Sequence, residues 1–212
     1  MVHVDGAGRK IEPLVLGAVV VRQLAIEVGD ELVRQIHGIA ARSPFRRVTT
    51  PSGKPMSVEM TNCGDRGWVS DSRGYRYESL DPLTQLAWPP IPEMFFTLAR
   101  EAASIGGYVN FAPDVCLINR YSIGSTMGMH QDCDERDFTS PIVSVSLGLP
   151  IRFRIGGTMR GGRTHGTTLE HGDVVVFGGP ARLAFHGVGK LRPGTHPVTG
   201  DVRYNLTFRV SR

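Results

Sequence analysis

Arg203-Tyr204-Asn205-Leu206-Thr207-Phe208-Arg209-Val210 alternates polar and apolar side chains without a break. An extended strand turns successive side chains to opposite faces, so Arg203, Asn205, Thr207 and Arg209 share one face and Tyr204, Leu206, Phe208 and Val210 the other. The apolar face suits packing against other elements, and the polar face suits a barrel that encloses a polar ligand. For either arginine alone, an edge strand facing water is the ordinary explanation. Two arginines on the face that also carries Asn205 favour an enclosed site that takes anions. Upstream, short apolar runs at 115–121, 142–149, 152–155, 168–169, 174–177 and 183–186 alternate with Gly, Pro and Asp turns. Such spacing predicts a barrel or sandwich. Two helices flank it. One covers about 30–40, with Leu32, Ile36 and Ile39 on one stripe and acids at its start; the other runs from Pro92 to Gly106-Gly107. The expected class is mainly β with flanking helices (α+β).

His130-Gln131-Asp132 supplies the chemistry. On a strand, the period of two puts His130 and Asp132 on one face, and His186 in Ala184-Phe185-His186-Gly187-Val188 offers a third ligand from another extended run. Two histidines and one carboxylate form the facial triad of non-heme Fe(II) oxygenases, which leaves positions open for O2 and a co-substrate. A single HxD pair is more often a surface loop. The inward arginines tip the balance, because a dicarboxylate such as 2-oxoglutarate supplies the anions that a planar guanidinium grips bidentately.

Composition sets bounds. The 212 residues suffice for one globular unit plus an extension. The apolar stretch 14–21 is far too short to span a membrane and no signal-peptide pattern opens the chain, so a cytoplasmic protein without membrane attachment is expected. Cys63, Cys116 and Cys133 are odd in number and lack a CxxC, which argues for reduced thiols. Acidic neighbours should raise the pKa of Cys133 and leave it a packing role. A net charge of +4 permits, without requiring, contact with a phosphate backbone. Arg42, Arg46, Arg47 and Lys54 surround a Pro/Ser/Thr/Gly-rich stretch that reads either as a phosphate-contacting loop or, with equal weight, as a solvated basic face.

The segment Met60-Thr61-Asn62-Cys63-Gly64-Asp65-Arg66-Gly67-Trp68 and the following Gly74-Tyr75-Arg76-Tyr77 concentrate rings, glycines and arginines. Trp68 and Tyr75 are candidates to stack an unpaired base; a small core of the extension is the alternative. Asp134 lies two residues past Asp132 and either faces the same pocket, where a carboxylate beside rings would favour a cation, or belongs with Glu135 and Asp137 to a solvated acidic loop. His171 sits in a turn suited to hydrogen bonding, and His3, His37, His165 and His196 have no partner at ligand spacing.

Together, His130-Gln131-Asp132, Leu117-Ile118-Asn119-Arg120-Tyr121, Pro141 through Gly148 and Arg203 through Arg209 resemble the bacterial AlkB family of Fe(II)/2-oxoglutarate dioxygenases, in family order from about Met60 to Arg209. The resemblance implies a double-stranded β-helix (jelly-roll) core at 89–212, with an N-terminal extension and nucleotide-recognition lid at 1–88 as part of one structural unit. It places His130, Asp132 and His186 as catalytic iron ligands. Asn119, Tyr121, Arg203, Asn205 and Arg209 would hold 2-oxoglutarate, with Arg209 on its distal carboxylate and Arg203 nearer the metal. Met60, Trp68 and Tyr75 fall in the lid, and Arg160 would contact substrate or backbone. The implied reaction is demethylation of 1-methyladenine- and 3-methylcytosine-type bases by a monomer, in DNA with single strands favoured and RNA as a second class, releasing formaldehyde, succinate and CO2. Phe177 stands where the family commonly has tryptophan, and Thr126 and Gly128 also depart from it; these positions should touch pocket wall or strand contacts rather than iron. A same-fold dioxygenase acting on RNA or protein, and a non-catalytic nucleic-acid-binding module, are the alternatives.

Overall fold

The computed structural model describes His3, Val4, Gly6 and residues 8–212. Strands β1 (His3–Val4), β2 (Lys10–Val15) and β3 (Ala18–Val21) lead into helix α1 (Gly29–Arg42). Strands β4 (Arg46–Thr49), β5 (Pro55–Gly64), β6 (Gly67–Asp71) and β7 (Gly74–Glu78) precede α2 (Glu93–Ile105). Then come β8 (Val115–Tyr121), β9 (Met127–His130), β10 (Ile142–Gly148), β11 (Ile151–Ile155), β12 (His165–Leu169), β13 (Val174–Phe177), β14 (His186–Val188) and β15 (Arg203–Arg209). The large sheet runs β1-β2-β3-β13-β10-β15-β8-β5-β4, a smaller one β12-β11-β14-β9, and β6-β7 stand as a separate hairpin.

The alternation in β15 is used as the sequence suggests. Tyr204, Leu206 and Phe208 enter a core with Leu32, Ile36 and Ile39 of α1 and Phe95, Leu98 and Ala102 of α2. Phe95 meets Phe208 edge to face at 6.2 Å, and both are fully buried. Burial of each such ring is worth about 1.5–3 kcal/mol, so the helices are fixed to the outer face of the large sheet by packing rather than by capping. A second apolar cluster fills the space between the sheets, with Val20, Ile142 and Val175 on one side and Ile151, Phe153, Ile155 and Leu169 on the other. This two-sheet sandwich with helices on one outer face is a mainly β, jelly-roll architecture.

Several local expectations change. The run 183–186 is not a strand: a 3-10 turn (Gly179–Ala181) precedes it, and β14 begins at His186. Strand β9 ends at His130, so Asp132 lies beyond the pleat. The basic stretch at 42–54 is loop only in part: residues 43–45 and 50–54 are turn or irregular, and between them β4 pairs antiparallel with β5, with Arg46 opposite Met60. Arg46 is also no free phosphate contact, because it is ion-paired with the buried Asp81 and lies 5.2 Å above the Trp88 ring. The apolar stretch at 14–21 is split between β2 and β3 by Gly17, whose φ of +86° and closeness to the Gly178 carbonyl leave no room for a Cβ.

Candidate active site

The end of β9 and the start of β14 bring the triad together. His130 and His186 are register partners, with ring centroids 4.5 Å apart. Gly187 permits that approach, since a Cβ there would meet the Met127 carbonyl at 2.7 Å. Asp132 reaches the pair from the segment after β9. Its Oδ1 lies 3.6 Å from His130 Nε2 and its Oδ2 3.6 Å from His186 Nε2. Each imidazole uses Nδ1 to donate to a backbone carbonyl, His130 to Gly128 at 2.9 Å and His186 to Ala184 at 3.0 Å. That fixes the tautomer and leaves both Nε2 lone pairs turned toward the carboxylate, as metal-ligating histidines require. Among the described residues these three form the group of potential ligands that converges, all within 4.8 Å of one another. The donor set fits Fe(II).

Electrostatics keep the three in ligating form. Burial alone would raise the Asp132 carboxyl, but the Arg209 guanidinium and the flanking imidazoles outweigh it and hold Asp132 well below the usual carboxylate range. Burial pushes His186 down to about 4, so its ring is neutral near neutral pH.

The polar face of β15 lines the cavity behind the triad. Asn205 faces Asn119 and Arg203 faces Tyr121 across the β15–β8 pair. Asn119 Nδ2 donates to Asn205 Oδ1 at 3.1 Å, and Asn205 Nδ2 donates to Ser144 Oγ at 2.8 Å. The two arginines differ sharply. Arg209 donates to Asp132 Oδ2 at 2.8 Å and also faces Glu135 at 3.5 Å. Arg203, 1% exposed, stacks on the Tyr121 ring at 5.0 Å and donates from Nη2 to Ser146 Oγ at 2.9 Å, while its Nε and Nη1 have no partner. No carboxylate among the described residues pairs with it. A buried guanidinium with two idle donors calls for an anionic ligand. The order of the arginines is therefore the reverse of the expectation: Arg209 adjoins the metal carboxylate, and Arg203 stands at the far end, opposite Tyr121 and Gly148.

On the other side of the triad a cavity of about 340 Å³ is lined by Met60, Trp68, Tyr75, His130, Asp132 and Asp134, among others. The rings of Trp68 and Tyr75 stack at 5.5 Å, and Trp68 Nε1 donates to Asp134 Oδ2 at 2.7 Å. Asp134 thus faces the cleft rather than open solvent; burial, only partly offset by the Trp68 bond, pushes its carboxyl up. Arg160 is not brought into this cleft. It lies exposed in the turn after β11, with its guanidinium 4.8 Å over Phe185.

The region beyond Asp134 also departs from a solvated acidic loop. Glu135 is buried and accepts from Arg182 at 3.1 Å, while Arg182 donates to the Asp132 carbonyl at 2.8 Å. Cys133 is exposed, so packing is not its role; partial burial, then Asp134 and Glu135, push its thiol up. Phe177 forms cavity wall with its ring 4.8 Å from His186, and Thr126 ties β9 to the Val188 carbonyl at 2.8 Å. His171 accepts the Gly148 N–H at 2.9 Å, as its turn suggested. The side chain of His3 lies outside the described residues. Among the described residues, no helix is long and apolar enough to cross a membrane.

A jelly roll that presents two imidazoles and a carboxylate beside a buried, anion-seeking arginine defines a class, and the chain belongs to it: residues 18–209 match the 2OG-Fe(II) oxygenase superfamily. Over 198 residues, which are 93% of this chain and 92% of the relative, it is 51% identical to the alpha-ketoglutarate-dependent dioxygenase AlkB of Escherichia coli (strain K12). It is 39% identical, over 69% of its length, to the DNA N(6)-methyladenine demethylase ALKBH1C of Arabidopsis thaliana, of which it spans 38%. The solved structure of OsALKBH1 superposes with a TM-score of 0.84 at 29% identity, over 94% of this chain and 99% of that one. Within the superfamily, this is an AlkB-type Fe(II)- and 2-oxoglutarate-dependent dioxygenase.

Proposed function

We propose that this enzyme demethylates alkylated nucleobases in nucleic acid, with 1-methyladenine- and 3-methylcytosine-type lesions in single-stranded DNA as substrates. One observation carries the reading: the co-substrate cavity and the aromatic cleft share His130, Asp132 and Arg209 as a common wall. A dicarboxylate entering from one side and a base from the other therefore meet at the triad.

In this reading His130, Asp132 and His186 hold the iron, Arg203 takes the distal carboxylate of 2-oxoglutarate, and Asn119, Tyr121 and Asn205 shape the rest of that pocket. Arg209 braces Asp132 at the metal end. Bound Fe(II), with 2-oxoglutarate and O2, supplies the oxidation of the N-alkyl carbon. Trp68 and Tyr75 sandwich or stack the unpaired base, Met60 forms the wall beneath, and Asp134 pairs with the positive charge that an N1- or N3-alkyl group confers. Arg160 meets the strand backbone at the rim. A methyl on the pairing edge already weakens the duplex, so the damaged base is the one most cheaply extruded. The hydroxylated carbon leaves as formaldehyde when its C–N bond breaks. The reading includes a monomer and, with Cys63 and Cys116 unbridged, a reducing cytoplasm.

Mass spectrometry of a 1-methyladenine-containing strand, incubated with protein, Fe(II), 2-oxoglutarate and O2, tests this. Loss of the methyl in the complete mixture alone, with succinate formed in step, is expected. Turnover of 2-oxoglutarate with the base left methylated would sink the substrate assignment.

A further inference from the structure

Strands β6 and β7 pair with each other and join neither large sheet, so side chains must hold this lid hairpin to the body. Two of its tethers come from register partners, Trp68 and Tyr77, and land on consecutive residues of the segment that carries Asp132. Trp68 bonds Asp134, which faces the base cleft, and a bound base competes for that contact. Tyr77 points elsewhere: its hydroxyl donates to Glu135 Oε1 and accepts from Arg209 Nη1 at 3.2 Å.

Those two partners belong to a closed set of charges. Asp132, Glu135, Arg182 and Arg209 are exposed by 7%, 5%, 3% and 5%. Arg209 bridges Asp132 and Glu135, and Arg182 bridges Glu135 and the Asp132 carbonyl. Two carboxylates thus balance two guanidinia. Tyr77 is the neutral member, and among the described residues its hydroxyl is what ties that set to the lid by hydrogen bonds.

Resting on the site reading above, we propose that Tyr77 is a positioning residue that couples the lid to the metal and co-substrate site through Glu135 and Arg209. In the free protein Arg209 donates to Asp132 and Tyr77, while its Nε stands 3.5 Å from Glu135 as an ion pair without a hydrogen bond. A cation bound by the triad draws on the Asp132 carboxylate, which weakens its hold on Arg209 and strengthens the share that Glu135 and Tyr77 receive. The hairpin is then held more tightly in the loaded enzyme. By reciprocity, a closed lid favours the loaded site by the same factor.

The test is hydrogen exchange of residues 67–78 in the full chain under nitrogen, with and without Mn(II) plus 2-oxoglutarate, beside calorimetric titration of 2-oxoglutarate into the Mn(II)-loaded protein. In the native protein, loading should slow hairpin exchange by about ten-fold. In Tyr77→Phe, which removes no charge, the slowing should shrink to less than about two-fold and 2-oxoglutarate affinity should fall about five-fold. Glu135→Gln should behave likewise. If Tyr77→Phe raises exchange equally in free and loaded protein, the hydroxyl is only structural and the proposal fails. It fails too if the native hairpin ignores a ligand that calorimetry shows to be bound. Absence of any binding heat in the native protein would instead overturn the site reading, and the coupling with it.

Discussion

Arg203→Met separates a ligand-receiving arginine from a structural one by the sign of two effects. The substitution roughly keeps the side chain's length and removes a buried cation that no carboxylate balances. In the ligand-free protein the loss is one hydrogen bond, to Ser146 Oγ at 2.9 Å, and packing on the Tyr121 ring. Such a bond nets about 1 kcal/mol, which relief of an uncompensated buried charge offsets. Unfolding stability without ligand should therefore change by less than about 1 kcal/mol in either direction. Co-substrate affinity should behave in the opposite way. A charge-assisted contact to a carboxylate is worth about 1.5–3 kcal/mol, so the dissociation constant should rise by roughly ten-fold to over a hundred-fold. Urea unfolding of the free protein and calorimetric titration of 2-oxoglutarate into the Mn(II)-loaded form read the two quantities. Arg209→Met is the contrast: it strips an ion pair from the buried Asp132 and should cost about 3–5 kcal/mol of stability. A free Arg203→Met protein destabilised on that scale, with affinity unchanged within a factor of two, would refute the argument.

Asp132→Ala should abolish 2-oxoglutarate turnover while single-stranded DNA binding, measured by fluorescence anisotropy, stays within a few-fold; persistent turnover would remove Asp132 from the metal site. Trp68→Ala takes away both the stack with Tyr75 and the bond to Asp134, and should weaken binding of a 1-methyladenine strand by about 1–3 kcal/mol. Equal affinity of the variant and native proteins would return Trp68 to a packing role. For pH, His186 titrates near 6.5 when unfolded and about 4 when folded, so between those values the unfolded chain binds the extra proton. Stability of the metal-free protein should fall as pH drops from about 6.5 toward 4, because ν(U) exceeds ν(N) there. Urea midpoints that stay flat across this window would contradict the neutral, buried assignment of His186.

How legible each part was follows from what constrains it. Strand β8 was read with its true ends, 115–121, because its apolar residues are hemmed by polar neighbours, and β15 to within one residue because one face meets α2 while the other meets a polar cavity. Alternation, however, says which face a residue takes and not which end of the strand adjoins the metal. The order of Arg203 and Arg209 is set by pairing with β8 and β10, which no local pattern encodes, and so it came out reversed. Strand β9, four residues with a glycine, carries no periodicity to detect. Strands β6 and β7 give no strand signal in the sequence because they stand outside the main sandwich and its core imposes no clean alternation on them. The sequence puts Glu135 in a solvated acidic loop and gives no sign of Arg182, since each finds its partner far along the chain and acidic residues in a row ordinarily signal solvent.

Charge orders the two halves of the cleft. Behind the triad, Arg203 offers an unpaired positive end in a pocket whose other charges are matched, which selects an anion long enough to reach from there to the metal. In front, Asp134 offers a carboxylate bonded to Trp68 and flanked by stacked rings, which on the proposed reading suits a flat cation. Exchanging the two ligands would set a carboxylate against Asp134 and leave Arg203 facing a positive base, two mismatches in a low-dielectric site where each unpaired charge costs several kcal/mol. Asp132 stands between, held ionised by Arg209, and serves both halves as the one shared carboxylate. On the proposed reading of the site, that polarity sorts co-substrate and base to their sides before any shape recognition, and Tyr77, bonded to Glu135 and Arg209, adds no charge to it.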